Sequence, residues 1–273
     1  MEGRLRLKAS KGRLVLMFLI ASAVILCFAV ILPGDPLSRP VPRTYGDLLR
    51  GPLVLGQDDP VLIAAVRDVL DGPSSEPYQL RFPEQRDSSQ SGQQAHLLDI
   101  IGSRNWTGVL VEAEDTNYQR LLAKHRRARL LNACLAPTPY PQQLAFEHIP
   151  GTLISYVFPG FTREDLDDKM RLKQCYPLYS ILAAAGLTSL DFLSLDIEGI
   201  DHLVLKSLPW KKVDIKMVMV EYVTPGTVFP NGSFNPEFEK PIKDIMFAND
   251  YVLAKQLPTD MIFVKNGSVF DKS

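Results

Sequence analysis

The stretch Asp191-Phe-Leu-Ser-Leu-Asp-Ile-Glu-Gly-Ile-Asp-His-Leu-Val-Leu-Lys-Ser-Leu-Pro-Trp210 decides the fold. Leu193 and Leu195 supply the apolar run of a buried strand. Asp196 and Glu198 stand where that strand ends, and Gly199 lets the backbone turn tightly into a helix. A second strand then follows at Ile215–Tyr222. In an open α/β sheet the carboxyl end of a strand is where ligands bind. The two acids are therefore candidate functional residues. Asp196 also has a plain reading, as an acceptor for the Gly199 turn or a cap for the next helix.

Outward from this stretch, strand and helix patterns alternate. Val61, Leu62, Ala65, Val66, Val69 and Leu70 form a helical stripe after Asp58-Asp59-Pro60. Thr107–Glu112 reads as a strand ending in the acids Glu112 and Glu114. Tyr118, Leu121, Leu122 and His125 share a helix face. Leu130–Leu135 and Leu144–His148 read as short strands, and Leu178–Ala185 as a helix stopped by Gly186. Phe238, Ile242, Ile245 and Met246 stripe a further helix. Tyr251–Ala254 and Met261–Val264 form a hairpin around Pro258. The fold class is α/β, a mostly parallel sheet with an antiparallel C-terminal hairpin.

The N-terminus carries a different signal. Arg4, Arg6, Lys8, Lys11 and Arg13 precede an uncharged run, Leu14–Leu32. Nineteen helical residues cover about 28 Å, close to the roughly 30 Å hydrocarbon core. A cleaved signal peptide is the competing reading, but its apolar region would be about 7–15 residues. The basic flank keeps residues 1–13 cytoplasmic. Residues 14–32 are then a type II anchor, 33–52 a proline-stiffened stalk, and 53–273 a lumenal domain.

Three sequons, at Asn105, Asn231 and Asn266, agree with a lumenal placement. Cys27 lies in the span. Cys134 and Cys175 are the soluble pair, read as a disulfide in an oxidising compartment, with two free thiols as the alternative. A net charge of −1 offers no basic field for nucleic acid. The four histidines are scattered and no H-E-x-x-H or C-x-x-C occurs, so no metal site is expected.

Several blocks resemble one family. The segment Asp191–Gly199 with the later Leu205-Lys-Ser-Leu-Pro-Trp210 resembles the "D-F-L-S-L-D-x-E-G … L-K-x-x-P-W" pattern of FkbM-type methyltransferases. Gln57-Asp58, Ser103–Ala113, Asn132–Leu135, Cys175–Ser180 and Val218–Tyr222 resemble further blocks of the membrane-bound, Star-like animal members. The resemblance implies a class I methyltransferase-like domain. If active, it would use S-adenosylmethionine, with Glu112 at the ribose, Asp196 near the reactive methyl and Glu198 and Glu221 on the same edge.

One part departs. The family's first strand and loop, roughly "V-E-x-G-A-x-D-G-E", are replaced by Pro77-Tyr-Gln-Leu-Arg-Phe-Pro-Glu-Gln-Arg-Asp-Ser-Ser-Gln-Ser-Gly92. Pro83 lacks an amide hydrogen and Arg81 adds bulk where glycines let the backbone approach the cofactor. The expectation is therefore a degenerate methyltransferase with no cofactor. The Star-like resemblance implies a non-catalytic factor of the endoplasmic reticulum and later secretory or endosomal membranes, serving membrane-bound growth-factor precursors. The alternative is an O-methyltransferase of the secretory pathway.

Overall fold

The computed structural model describes residues 55–77, 107–149, 155–161, 165–223, 235–268 and 270. The anchor Leu14–Leu32, the stalk, the sequons at Asn105 and Asn231, and residues 78–92 of the substituted loop lie outside the described residues. Among the described residues no helix is long and apolar enough to cross a membrane.

Helix α1 (Pro60–Asp68) begins where the sequence signals it. The Asp59 carboxylate accepts the Val61 amide at 2.8 Å, and Pro60 takes the first position. Its buried face, Leu62, Ala65 and Val66, packs into the main core. Strand β1 (Val109–Val111) pairs in parallel with β2 (Arg129–Leu131), and α2 (Asp115–Leu122) connects them. His125 falls outside that helix at φ 49°.

The expected strand at Leu130–Leu135 is two strands, β2 and β3 (Cys134–Leu135). Strand β4 (Gln142–His148) pairs antiparallel with β5 (Ser155–Phe158) and β6 (Met170–Tyr176). Neither β5 nor β6 is evident from hydrophobic pattern. Lys173 and Gln174 break the alternation of β6, and β5 is only four residues long. The mostly parallel sheet is thus corrected to mixed α/β, with parallel and antiparallel pairs side by side.

Helix α3 (Leu178–Ala185) ends at Gly186, whose φ of 74° supplies the left-handed cap. Strands β7 (Ser189–Leu190) and β8 (Leu193–Leu195) run parallel to β9 (Asp214–Ile215) and β10 (Met217–Glu221) in one continuous register. Helix α4 (Asp201–Ser207) makes the crossover, and α5 (Glu239–Ala248) leads to the hairpin β11 (Tyr251–Gln256) and β12 (Asp260–Lys265). The sheet order β11-β12-β10-β8 puts the hairpin against β10, as expected.

Two of the motif residues hold segments of the fold together. Gln57 stitches three segments: its amide bonds Pro139 O, its side chain bonds Ser207 O, and its carbonyl accepts the Ser180 hydroxyl at 2.7 Å. Trp210 donates its ring N–H to Leu205 O and meets the Tyr251 ring edge-on, closing α4 onto the sheet. Asn266 is exposed in the turn after β12, its amide on Asp250 Oδ1 at 2.7 Å.

Cys134 and Cys175 are bonded, as directly opposed partners of β3 and β6. Their link ties the antiparallel strands to the chain that follows β2. The sequence separation of 41 residues corresponds to about 4 kcal/mol in the chain-entropy treatment, an upper value. The Cys134→Ser/Cys175→Ser variant is expected to lose about 2–4 kcal/mol in urea unfolding. An unchanged midpoint would show that the bond adds nothing.

Candidate functional site

The carboxyl ends of β8 and β10 meet the start of β12. In register, Leu195 pairs with Val220, and Glu221 faces Asp260 directly across β10 and β12. The topology therefore sets Asp196, Glu221 and Asp260 side by side on three neighbouring strands. Like charges on facing strand positions repel, so this arrangement costs stability.

The turn after β8 adds two more acids. Glu198 sits at φ 60°, unusual for a residue with a side chain, and Gly199 follows at φ 101°. The left-handed pair reverses the chain within two residues. What holds it is Asp201, 1 % exposed in the first turn of α4. Its Oδ1 accepts the Ile197 amide and its Oδ2 the Gly199 amide, each at 3.2 Å. The turn-acceptor role considered for Asp196 thus belongs to Asp201, leaving Asp196 open to solvent at the mouth.

No hydrogen bond reaches the side chain of Asp196, Glu198 or Glu221 among the described residues, and Glu221 Oε2 is fully enclosed without a donor. Asp260 differs, since Thr259 donates to its Oδ2 at 2.6 Å. Burial, then the other acids, pushes Glu221 up to about 9. Burial and the Asp196 charge push Glu198 up to about 7. Asp201 also rises to about 7, from burial and Asp196, against the pull of its backbone partners. Asp196 is raised by burial and by Asp260, a softer effect because its carboxylate meets water.

Glu112 stands at the end of β1. Its Oε1 turns back onto the Glu114 amide at 2.8 Å, so one oxygen caps the strand end. Burial raises its pKa, while the Glu114 amide opposes the rise. Glu114 itself caps α2 through the Asn117 amide at 2.6 Å. Nearby, His148 Nδ1 lies 3.0 Å from Ser155 Oγ. On β5, burial raises the Tyr156 hydroxyl pKa, with the charges of Glu198, Glu147 and Glu221 adding to the effect.

Sequence reasoning found Glu112, Asp196, Glu198 and Glu221. It missed Asp201, Asp260 and Tyr156. The change from the family's "E-G-A-E" to Glu198-Gly-Ile-Asp201 was a visible signal for Asp201, since a shorter acid fits the fully enclosed position beneath the turn. Among the described residues no three His, Cys, Asp or Glu side chains are arranged to hold a metal.

A family model for the methyltransferase FkbM domain matches residues 95–252, and the chain belongs to that family. No curated protein and no solved structure matches the chain.

The described acids suit the cationic and ribose parts of S-adenosylmethionine, with one Glu112 oxygen free of the Glu114 contact. The cradle for its carboxylate end would come from the 77–92 segment, which has one glycine, at its far end.

Two outcomes follow from the geometry. A branched side chain at a φ of 101° is strained, so Gly199→Val is expected to cost more than 1 kcal/mol, roughly, in urea unfolding. Wild-type stability in that variant would contradict the turn.

The second concerns pH. Glu198, Asp201 and Glu221 have folded pKa values above their unfolded ones. Their contribution is complete below the unfolded carboxylate range and is lost as pH rises through about 7 and then about 9. Half-buried His202 has a pKa lowered by burial and so acts in the opposite sense below the ordinary imidazole range. Melting temperature is therefore expected to fall from about pH 6.5 to 9, and Glu221→Gln to flatten that slope. A rising or level profile in the wild type contradicts the crowding.

Proposed function

We propose that the chain is a single-span type II membrane protein whose lumenal FkbM-family domain acts as a non-catalytic, Star-like factor in secretory and endosomal protein transport. The observation that carries this reading is the substituted cofactor loop. Between Pro77 and Gly92 the sequence offers one glycine and places Pro83 where an amide donor is needed. The family match begins beyond this segment, at residue 95. One oxygen of Glu112, the residue expected at the ribose, is engaged by its own loop. The Cys134–Cys175 bond supports residence in an oxidising compartment. The charge asymmetry around Leu14–Leu32 supports a cytoplasmic N-terminus.

A second reading, an S-adenosylmethionine-dependent O-methyltransferase, is favoured by one observation. Asp196, Glu198 and Glu221 surround the strand ends without a donor among the described residues. The sulfonium cofactor would supply an electrophilic methyl group. Glu112 would hold a ribose hydroxyl, and Asp196 or Glu198 would accept the proton of an acceptor hydroxyl.

Calorimetric titration of the full-length protein with S-adenosylmethionine separates the readings. The transport reading expects no saturable heat, and Glu112→Gln and Asp196→Asn to leave export of a growth-factor precursor near wild type. Micromolar binding, weakened by Glu112→Gln by about 1.5–3 kcal/mol, would overturn it. Protease treatment of sealed microsomes tests the topology: the C-terminal domain is expected to survive until detergent is added, and digestion before that point contradicts the lumenal placement.

A further inference from the structure

The chain leaves β12 through a tight turn at residues 265–268. The Ser268 amide donates to Lys265 O at 3.0 Å, and Gly267, at the third position, takes a φ of 67°. A positive φ there, without one at Asn266, is the pattern of a type II turn, which glycine favours. The turn is anchored to the start of β11: the Asn266 amide donates to Asp250 O at 3.0 Å, and Lys265 pairs with Tyr251. Asn266 and Gly267 are exposed at its corner. A methyl group added to Gly267 would meet no atom within 4 Å among the described residues. The corner therefore has room for a bulky group.

Asn266-Gly-Ser268 is an acceptor motif for N-linked sugar, and both of its functional side chains suit that use. The Asn266 side-chain nitrogen donates to Asp250 Oδ1 at 2.7 Å. A carboxylate only accepts, so the nitrogen and not the oxygen faces it. An amide nitrogen of this kind carries two hydrogens. One serves Asp250, and the other can be replaced without loss of that bond. The Ser268 hydroxyl is enclosed, yet it makes no hydrogen bond among the described residues. An enclosed hydroxyl without a partner costs stability, a cost that alanine would avoid. The fold gives no reason for serine here, whereas the acceptor motif requires a hydroxyl two residues after the asparagine.

We propose that Asn266 carries an N-linked glycan, placed at the end of the sheet opposite the strand-end acids. The inference rests on the lumenal placement within the transport reading. The donor is a lipid-linked oligosaccharide pyrophosphate, met by the chain before it folds. The asparagine nitrogen forms a bond to the first sugar's anomeric carbon, the bond from that carbon to the pyrophosphate oxygen breaks, the lipid pyrophosphate leaves, and the amide loses one proton. Because β12 runs antiparallel to β10, Val264 lies opposite Met217 and Asp260 opposite Glu221. A rise of about 3.4 Å per residue over β12 sets the turn about 17 Å along the strand from Asp260. A bulky, hydrated glycan there keeps proteins off the amino ends of the strands and leaves the carboxyl ends open.

The test uses full-length protein expressed in eukaryotic cells. An endoglycosidase that leaves one sugar on the asparagine is applied, and the peptides are mapped by mass spectrometry. The residual sugar is a tag that spontaneous deamidation of Asn-Gly cannot mimic. Most wild-type chains are expected to carry it at Asn266. Asn266→Gln and Ser268→Ala are expected to lose it, and Ser268→Thr, which restores the hydroxyl, to keep it. A bare Asn266 in the wild type overturns the proposal, as does a tag that survives Ser268→Ala. Protease treatment of sealed microsomes from the same cells separates two failures. A bare Asn266 in a protected domain removes this inference alone; a bare Asn266 in a digested domain removes the lumenal placement with it.

Discussion

The two hydrogen bonds from Ile197 N and Gly199 N to the enclosed Asp201 carboxylate are the constraint on which the strand-end region depends. They fold the chain back within the left-handed Glu198–Gly199 pair and start α4. Without them the turn would lose its only side-chain acceptor among the described residues, and Glu198 would be free to swing into water. With them, Glu198 stays in the group of acids whose pKa values are raised by burial and then by one another's charges.

The rest of the fold holds that group in place. Val218 and Val220 of β10 and Met261 and Phe263 of β12 are fully buried in the main core, and Met217, Met219, Ile262 and Val264 fill a second one on the other face, so packing on both sides fixes the register that sets Glu221 opposite Asp260. The disulfide fixes β3 to β6, and β4 and β5 follow through backbone pairing.

Much of this was legible in the sequence, for definite reasons. Gly199 and Gly186 signal positive φ because few other residues tolerate it, and both adopt it. The continuous apolar run of β10 and the hairpin around Pro258 are strong local signals, and both elements formed where expected. The antiparallel β4–β5–β6 arrangement was not legible. Arg171, Lys173 and Gln174 interrupt β6, and they do so for a tertiary reason: Lys173 reaches Asp115 and Asn132 at 2.6 Å, and Arg171 lies over the Phe146 ring. Asp260 was equally hidden. Its place opposite Glu221 is a product of hairpin register, which a turn of this length does not reveal from residue types alone.

The central claim is that the fold raises the pKa of carboxyl groups at the strand ends by burying them and, in second place, by crowding them. Infrared difference spectroscopy of the full-length protein reads this directly, through the carbonyl stretch that only a protonated carboxyl group shows. The account predicts this band at pH 7.5, its loss on raising the pH through about 9, and its marked reduction in Glu221→Gln. A protein with no protonated-carboxyl band at pH 7.5, or one whose band is indifferent to Glu221, would contradict it.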